Sequence, residues 1–432
     1  MIRNTGHADL PLHVGTVPKW LADRMMTIGT LIIESLVINF GVDEALVRLS
    51  DPLWFQSFGA VMGMDWHSSG ITTSVMYALK RGLNARVDDL GIYICGGRGK
   101  YSRQTPNELI DFSMKKGMNG DVFVNNSKLC AKVDNNAVQD GFQLYQHNFI
   151  VAKTGSWAVV QQGMNVQTKI ARRYHWCSNN LKSFVEEPHT GVVGDNQGSI
   201  LNLTDKSAFE TRNSILEITK DNPEKVINEI YSMSKENSEI LLLNNGKVNN
   251  VEKHLNQGEL FPELAVRNEI VQLGRNIELP SHHEVKKEAV DLKRLGGVLA
   301  TAYENQPKDF ESLMLTKGLG PRTLQSLTLV SEVIYGTPSR FTDPARYSFA
   351  HGGKDGQPFP VPLKIYDESI RVLRDSIEKS KLGYKDKSEC IEKLHKTALS
   401  FEQNCNPVVD FDKVIEYERA NSKKWDGKTV GS

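Results

Sequence analysis

The stretch from Phe142 to Asn165 constrains this chain more than any other. FQLYQHNFIVAK (142–153) and SWAVVQQGMN (156–165) are apolar-rich runs separated by Thr154-Gly155, the pattern of two strands joined by a tight turn. An isolated hairpin is marginal in water, so the surrounding sequence has to supply a core for it. That sequence reads as helix. Pro18 fronts the periodic run WLADRMMTIGTLIIESLVINFG, which Gly41 closes, and Asp43 can cap the next short helix. SSGITTSVMYALKRGL (68–83) predicts another helix, capped by Ser68 or Ser69 and stopped by Gly82. VDDLGIYICGG (87–97) ends in a strand, and Thr105-Pro106-Asn107-Glu108 opens a helix with threonine as cap and proline at its first position.

From Asn196 onward the pattern turns polar and helical. Residues 244–258 are turn-rich and low in hydrophobicity, helices resume after Glu284, and a Lys/Glu/Ser-rich tail closes the chain. The expected fold class is α+β: a mixed α/β N-terminal domain followed by a mostly helical C-terminal half. The expected divisions are a mixed domain over 1–205, a helical and loop connection over 206–290, a hairpin-bearing domain over 291–380 and a helical tail over 381–432. A length of 432 residues fits two or three domains.

Lys+Arg and Asp+Glu both total 52, so the formal net charge is zero. That excludes a histone-like basic protein but not a nucleic-acid binder, which needs a basic patch and not a basic total. No run reaches the length of a membrane span, and the N-terminus lacks the apolar core of a secretion signal. The five cysteines include no CxxC pair. Reduced, buried thiols in a cytoplasmic protein with no membrane partner are the expectation.

The most mechanistic segment is KDFESLMLTKGLGPRTLQSLTLVSEVIYGTPSRFTDPARYSF (308–349). One helix ends near Leu315, Lys317-Gly318-Leu319-Gly320 makes a tight turn, and Pro321 begins a second helix that Gly336 stops. Glycines at such a turn bare the backbone N–H groups of a helix N-terminus, where a phosphate fits without side-chain clash. Lys317 and Arg322 add charge on either side. The segment resembles the helix-hairpin-helix of DNA repair proteins. In the glycosylases with that motif a Gly/Pro-rich loop after the second helix delivers a catalytic aspartate, and here Gly336-Thr337-Pro338 leads to Asp343. Arg322 occupies the place of the lysine nucleophile of bifunctional members, so the resemblance implies no lyase chemistry.

Histidines and acids gather near the N-terminus. His7, Asp9 and His13 lie in GHADLPLH, and Asp65 and His67 in MDWHSSG. Carboxylate and imidazole together suit a divalent metal ion that activates water, so these five are the candidate metal ligands, with Asp65 and His67 also candidate catalytic residues. Their spacing matches no closed zinc pattern. His282-His283-Glu284 is a weaker cluster. Two basic segments can bind nucleic acid: GGRGKYSR (96–103), with Arg98, Lys100 and Arg103 around Tyr101, and TKIARRYHW (168–176), with Lys169, Arg172 and Arg173 beside Tyr174 and Trp176. A solvated basic face over an aromatic core edge explains the second equally well.

The strings TGHADLPLHVGTVPKWL, GMDWHSSG, AVVQQGMN, ARRYHW, LGPRTLQSLTLVSEVIYG and DPARYSFAHGGKDG together resemble a family of archaeal and bacterial proteins designated domain of unknown function 763. The resemblance spans nearly the whole chain and implies a cytosolic prokaryotic protein without specifying an activity. From the residues, the expected function is DNA binding in DNA processing or repair, with RNA the lesser partner. A metal-dependent nuclease, a monofunctional glycosylase using Asp343, and a non-catalytic binding module are the alternatives.

Overall fold

The computed structural model describes residues 10–11, 19–64, 70–168, 170–227, 292–346, 361–404 and 407–408. The chain forms two compact units. One comprises 1–134, 142–198 and 343–432, the other 135–141 and 199–342. Neither is contiguous, so the sequential boundaries expected at 205, 290 and 380 do not mark them. Pattern reading follows the chain in order and has no means of sensing a segment that leaves one core and returns to it.

The first unit begins with β1 (Leu10–Pro11) and a run of helices: α1 (Lys19–Phe40), α2 (Val42–Ser50), α3 (Pro52–Val61), α4 (Gly70–Asn84) and the single turn α5 (Val87–Leu90). α1 stops at Gly41, as its sequence predicts. α3 starts because Asp51 accepts hydrogen bonds from the N–H groups of Leu53 and Trp54, with Pro52 at the first helical position. Gly82 does not stop α4, which runs on to Asn84. It serves helix packing instead, since a Cβ there would lie 1.8 Å from Thr30 Oγ1 of α1.

β2 (Ile92–Arg98) leads through a 3-10 turn (Gly99–Gln104) into α6 (Thr105–Lys116), and α7 (Gly120–Lys132) follows. Thr105 lies inside α6 and does not cap it; its hydroxyl donates to the Ser102 carbonyl. A π-turn (Val133–Ala137) and the short β3 (Val138–Gln139) precede β4 (Gln143–Ala152), β5 (Trp157–Met164), β6 (Ile170–Cys177) and β7 (Gly191–Val193). The expected hairpin is β4–β5, with Val151 opposite Trp157 and His147 opposite Gln161. The sheet runs β1-β6-β5-β4-β2 with β7 also on β6, and every pairing is antiparallel.

Both faces of this sheet are covered. On one face Ile92, Ile94, Ile150, Ala152, Ala158 and Val160 join Ile32, Trp54, Phe58 and Leu79 in a single core. Burying each large apolar side chain contributes roughly 1.5–3 kcal/mol. On the other face Phe149 stacks on Trp157, Phe123 meets Phe149 edge-on, and Tyr93 stacks on Phe112 of α6. An antiparallel sheet commonly leaves one face to water; this one does not, and that decides where its polar residues end up.

The second unit holds β3, β8 (Ser199–Asn202), α8 (Phe209–Lys220), α9 (Leu292–Asn305), α10 (Phe310–Met314), α11 (Pro321–Tyr335) and β9 (Phe341–Thr342), with strand order β3-β8-β9. Leu203, Ile215, Leu299, Leu313, Leu319, Leu324 and Leu327 are buried there. The chain then returns to the first unit. β10 (Val361–Pro362) precedes α12 (Leu363–Lys379) and α13 (Tyr384–Asn404), and β11 (Pro407–Val408) pairs with β10. The expected tail is therefore partly core, because Leu382, Cys390 and Leu394 pack with Val372, Leu373 and Ile377 against the helices of the first unit. Arg24 of α1 pairs with Asp386 and Glu389 of α13. The N-terminal region thus mixes helix and strand, while about 295–399 is mostly helical.

Candidate functional site

β4, β5 and β6 carry an unusual density of buried polar residues at one end. Consecutive residues on a strand point to opposite faces, so Gln161 and Gln162 separate, as do Arg172 and Arg173.

On the face toward α3 and α4, cross-strand pairing sets Arg98, Gln146, Gln162 and Arg173 in one row. Arg173 is fully buried. It donates to His175 Nε2 at 2.7 Å, to Gln56 Oε1 at 2.9 Å and to Thr72 Oγ1 at 3.4 Å. Burial pulls its guanidinium down to about 9. Gln146 donates to Asn148 Oδ1 at 2.8 Å and Gln162 to the Tyr145 hydroxyl at 2.5 Å. Since His175 Nε2 accepts from Arg173, its neutral imidazole carries the proton on Nδ1. Burial, with the neighbouring Arg173 charge, holds His175 well below the usual imidazole range.

On the opposite face a chain of hydrogen bonds runs from α7 across the sheet. Ser127 Oγ lies 2.8 Å from His147 Nε2, and His147 Nδ1 lies 2.6 Å from Gln161 Oε1. The Gln161 amide donates to the Cys130 carbonyl at 3.1 Å and to Asp134 Oδ2. Asp134 also accepts from Trp176 Nε1 at 2.9 Å and from His189 Nε2. Ser127, Asp134, His147 and Gln161 are all buried. Burial holds His147 below the usual imidazole range, partly offset by the Gln161 bond and the Asp134 charge.

Both imidazoles are thus neutral in the folded protein and take up protons at about 6.5 when unfolded. Their stabilising contribution is complete above that value and is lost as pH falls toward the folded-state values. The expected result is a melting temperature that drops between pH 7 and pH 5, each imidazole contributing up to about 1.4 kcal/mol per pH unit. Thermal melts of the protein and of His147→Gln across this range check it, the variant showing the shallower dependence.

The candidate residues from sequence fall into three groups. His7, Asp9, His13, Asp65 and His67 lie outside the described residues, as do Lys169, His282 and His283. Among the described residues no group of metal-ligating side chains forms a site. Arg98, Lys100 and Arg103 stand exposed on the end of β2 and the 3-10 turn, with Arg98 over the Tyr145 ring and Lys100 over Tyr101. Lys317, Gly318 and Arg322 are exposed between α10 and α11. Gly318 takes a φ of 88°, which favours glycine, and Gly320 precedes α11 without a side-chain cap. The buried Leu319 anchors this turn, and the Pro321 carbonyl accepts from Gln139.

The third group is corrected. Arg172 and Arg173 form no exposed basic face; both are wholly buried because both faces of β6 are covered. Arg172 makes a two-pronged ion pair with Asp343, at 2.9 and 3.0 Å. The Asp343 carboxylate also accepts from the N–H groups of Ala345 and Gln197. Four donors thus engage the two oxygens of Asp343, which is held as a structural clamp. His147, Gln161 and His175 lie in the runs FQLYQHNFIVAK, SWAVVQQGMN and TKIARRYHW, where nothing in the sequence joins them. Ser127, Asp134 and His189 sit in polar stretches (NNSK, VDNN and EEPHT) and carry no sequence signal of their own.

Of the four cysteines among the described residues, Cys95, Cys130, Cys177 and Cys390, all are buried free thiols. No helix of the described residues is long and apolar enough to cross a membrane. A family model described as "Protein of unknown function (DUF763)" matches residues 6–361. No curated protein and no solved structure matches the chain.

Proposed function

The chain belongs to the DUF763 family, and since that membership carries no activity with it, we propose from its exposed chemistry that the protein binds nucleic acid, DNA foremost, in a DNA-processing role. One observation carries the proposal. Arg98, Lys100 and Arg103 stand exposed within one short turn around the half-exposed Tyr101, and among the described residues none of the three is in an ion pair. Cations left to solvent beside an aromatic face suit a phosphate chain and a stacked base. The acid nearest in sequence, Glu108, is engaged by Lys80 and by the Gly96 N–H. Lys317 and Arg322, beside the N-terminus of α11, are a second set of cations for backbone contact, in the manner of a helix-hairpin-helix.

Fluorescence anisotropy titrations with single- and double-stranded DNA, and with RNA, over a range of salt test the proposal. If Arg98, Lys100 and Arg103 touch phosphates, log affinity falls against log salt with a slope of about −2.7 on duplex. Replacing Arg98, Lys100 and Arg103 together by alanine is expected to weaken binding roughly tenfold or more and to reduce the slope by about 3. A salt-independent affinity, or no binding at low salt, sinks the proposal. A preference for RNA moves the partner and leaves the surface in place.

A further inference from the structure

We infer that Ser127 is a base-activated nucleophile, with His147 as its general base, Gln161 as the group that orients the base, and a small carboxylic ester as the substrate class. The inference is independent of nucleic-acid binding.

The protonation pattern follows from the hydrogen bonds. The Gln161 amide nitrogen is committed to the Cys130 carbonyl and the Asp134 carboxylate, so its oxygen faces His147. That oxygen can only accept, and His147 Nδ1 must therefore carry the proton. A neutral imidazole protonated on Nδ1 presents a lone pair on Nε2, and the Ser127 hydroxyl, 2.8 Å away, donates to it. Serine, base and orienting group thus stand in the relation a nucleophilic hydroxyl requires. Asp134, one bond further back, favours the imidazolium that forms when His147 takes the proton.

The surroundings select the electrophile. Among the described residues no cationic side chain bonds to Ser127 or His147, while the Asp134 charge lies behind them. An anionic phosphoryl group would be repelled, whereas a neutral ester would not. Ser127 and His147 are buried with 4% and 6% of their surface left, whereas Asp134 and Gln161 keep none, so the serine end is the least enclosed part of the chain of bonds. Across the sheet from His147 stands Gly97, which puts no side chain over it; a Cβ there would meet Tyr101 at 3.2 Å.

In the reaction Ser127 Oγ bonds to the ester carbon as its proton passes to His147 Nε2. The bond to the alkoxide leaving group breaks, and that group takes the proton from His147. Water then repeats the sequence on the acyl-serine, releasing the acid and restoring the hydroxyl.

An alkyl fluorophosphonate, which reports an activated serine through a stable adduct with loss of fluoride, tests the inference on the native full-length chain by intact mass and peptide mapping. The expected result is one adduct on Ser127, absent in Ser127→Ala and in heat-denatured protein, and formed about 100-fold more slowly in His147→Asn. Ring-nitrogen chemical shifts of His147 give a second measurement that needs no variant: the proton should sit on Nδ1, and Gln161→Met should mix the two tautomers. No adduct on Ser127 in native protein, equal labelling in a folded His147→Asn, or a proton found on Nε2 in the unmodified protein would each overturn the assignment.

Discussion

Replacing Arg172 with leucine should destabilise the first unit by about 3–5 kcal/mol, the usual cost of stranding one partner of a buried ion pair. Both side chains are wholly shielded, and the guanidinium spans both oxygens of Asp343 while also donating to the Asp195 carbonyl. Leucine leaves the Asp343 charge in the interior with only the backbone donors of Ala345 and Gln197. The double variant Arg172→Leu, Asp343→Leu removes the stranded charge as well, and its loss should be much smaller than the sum of the two single losses. Denaturant unfolding followed by hydrogen exchange of the β6 amides measures both. Additive losses would show that the two residues do not act as a pair.

The second large effect is expected at Asp134. Its carboxylate accepts from Gln161, Trp176 and His189, so Asp134→Ala leaves three buried donors without their acceptor. At about 1–3 kcal/mol for each stranded group, the loss should be at least about 3 kcal/mol. Asp134→Asn keeps one acceptor oxygen and should cost less. Thermal and denaturant melts of the two variants give the comparison, and equal stability of Asp134→Ala and the unmodified protein would refute the account. A fluorophosphonate assay on Asp134→Asn then separates the contribution of this carboxylate to folding from its support of His147.

Local structure was legible because local rules govern it. Gly41 ends α1, and the β4–β5 hairpin was readable from two apolar runs around Thr154-Gly155. Gly82 misled for a physical reason. A glycine near a helix end reads as a stop, but here the helix continues and the missing side chain makes room for Thr30. The C-terminal helices misled in the same way, since a surface rich in Lys and Glu hides the stripe of Val372, Leu373, Ile377 and Leu394 that packs inward.

The candidate sites were less legible. ARRYHW reads as a basic stretch, and alternation along a strand guarantees only that Arg172 and Arg173 face opposite ways. On a sheet with one wet face, one of them would be exposed. Helices cover one face and a second layer of aromatic and polar groups covers the other, so both are buried. The same holds for Gln161 and Gln162, whose alternate directions serve two different networks.

By itself the sequence determined the alternation of helix and strand, the hairpin, the exposed basic turn at Arg98–Arg103 and the family to which the chain belongs. Each of these depends on neighbours in the chain or on the whole string of residues. Only the tertiary structure decided that Arg172 closes on Asp343, and that Ser127, His147, Gln161 and Asp134 share one line of hydrogen bonds. Those groups are far apart in sequence, and what joins them is the burial of both sheet faces, which forces every polar atom there to find a partner.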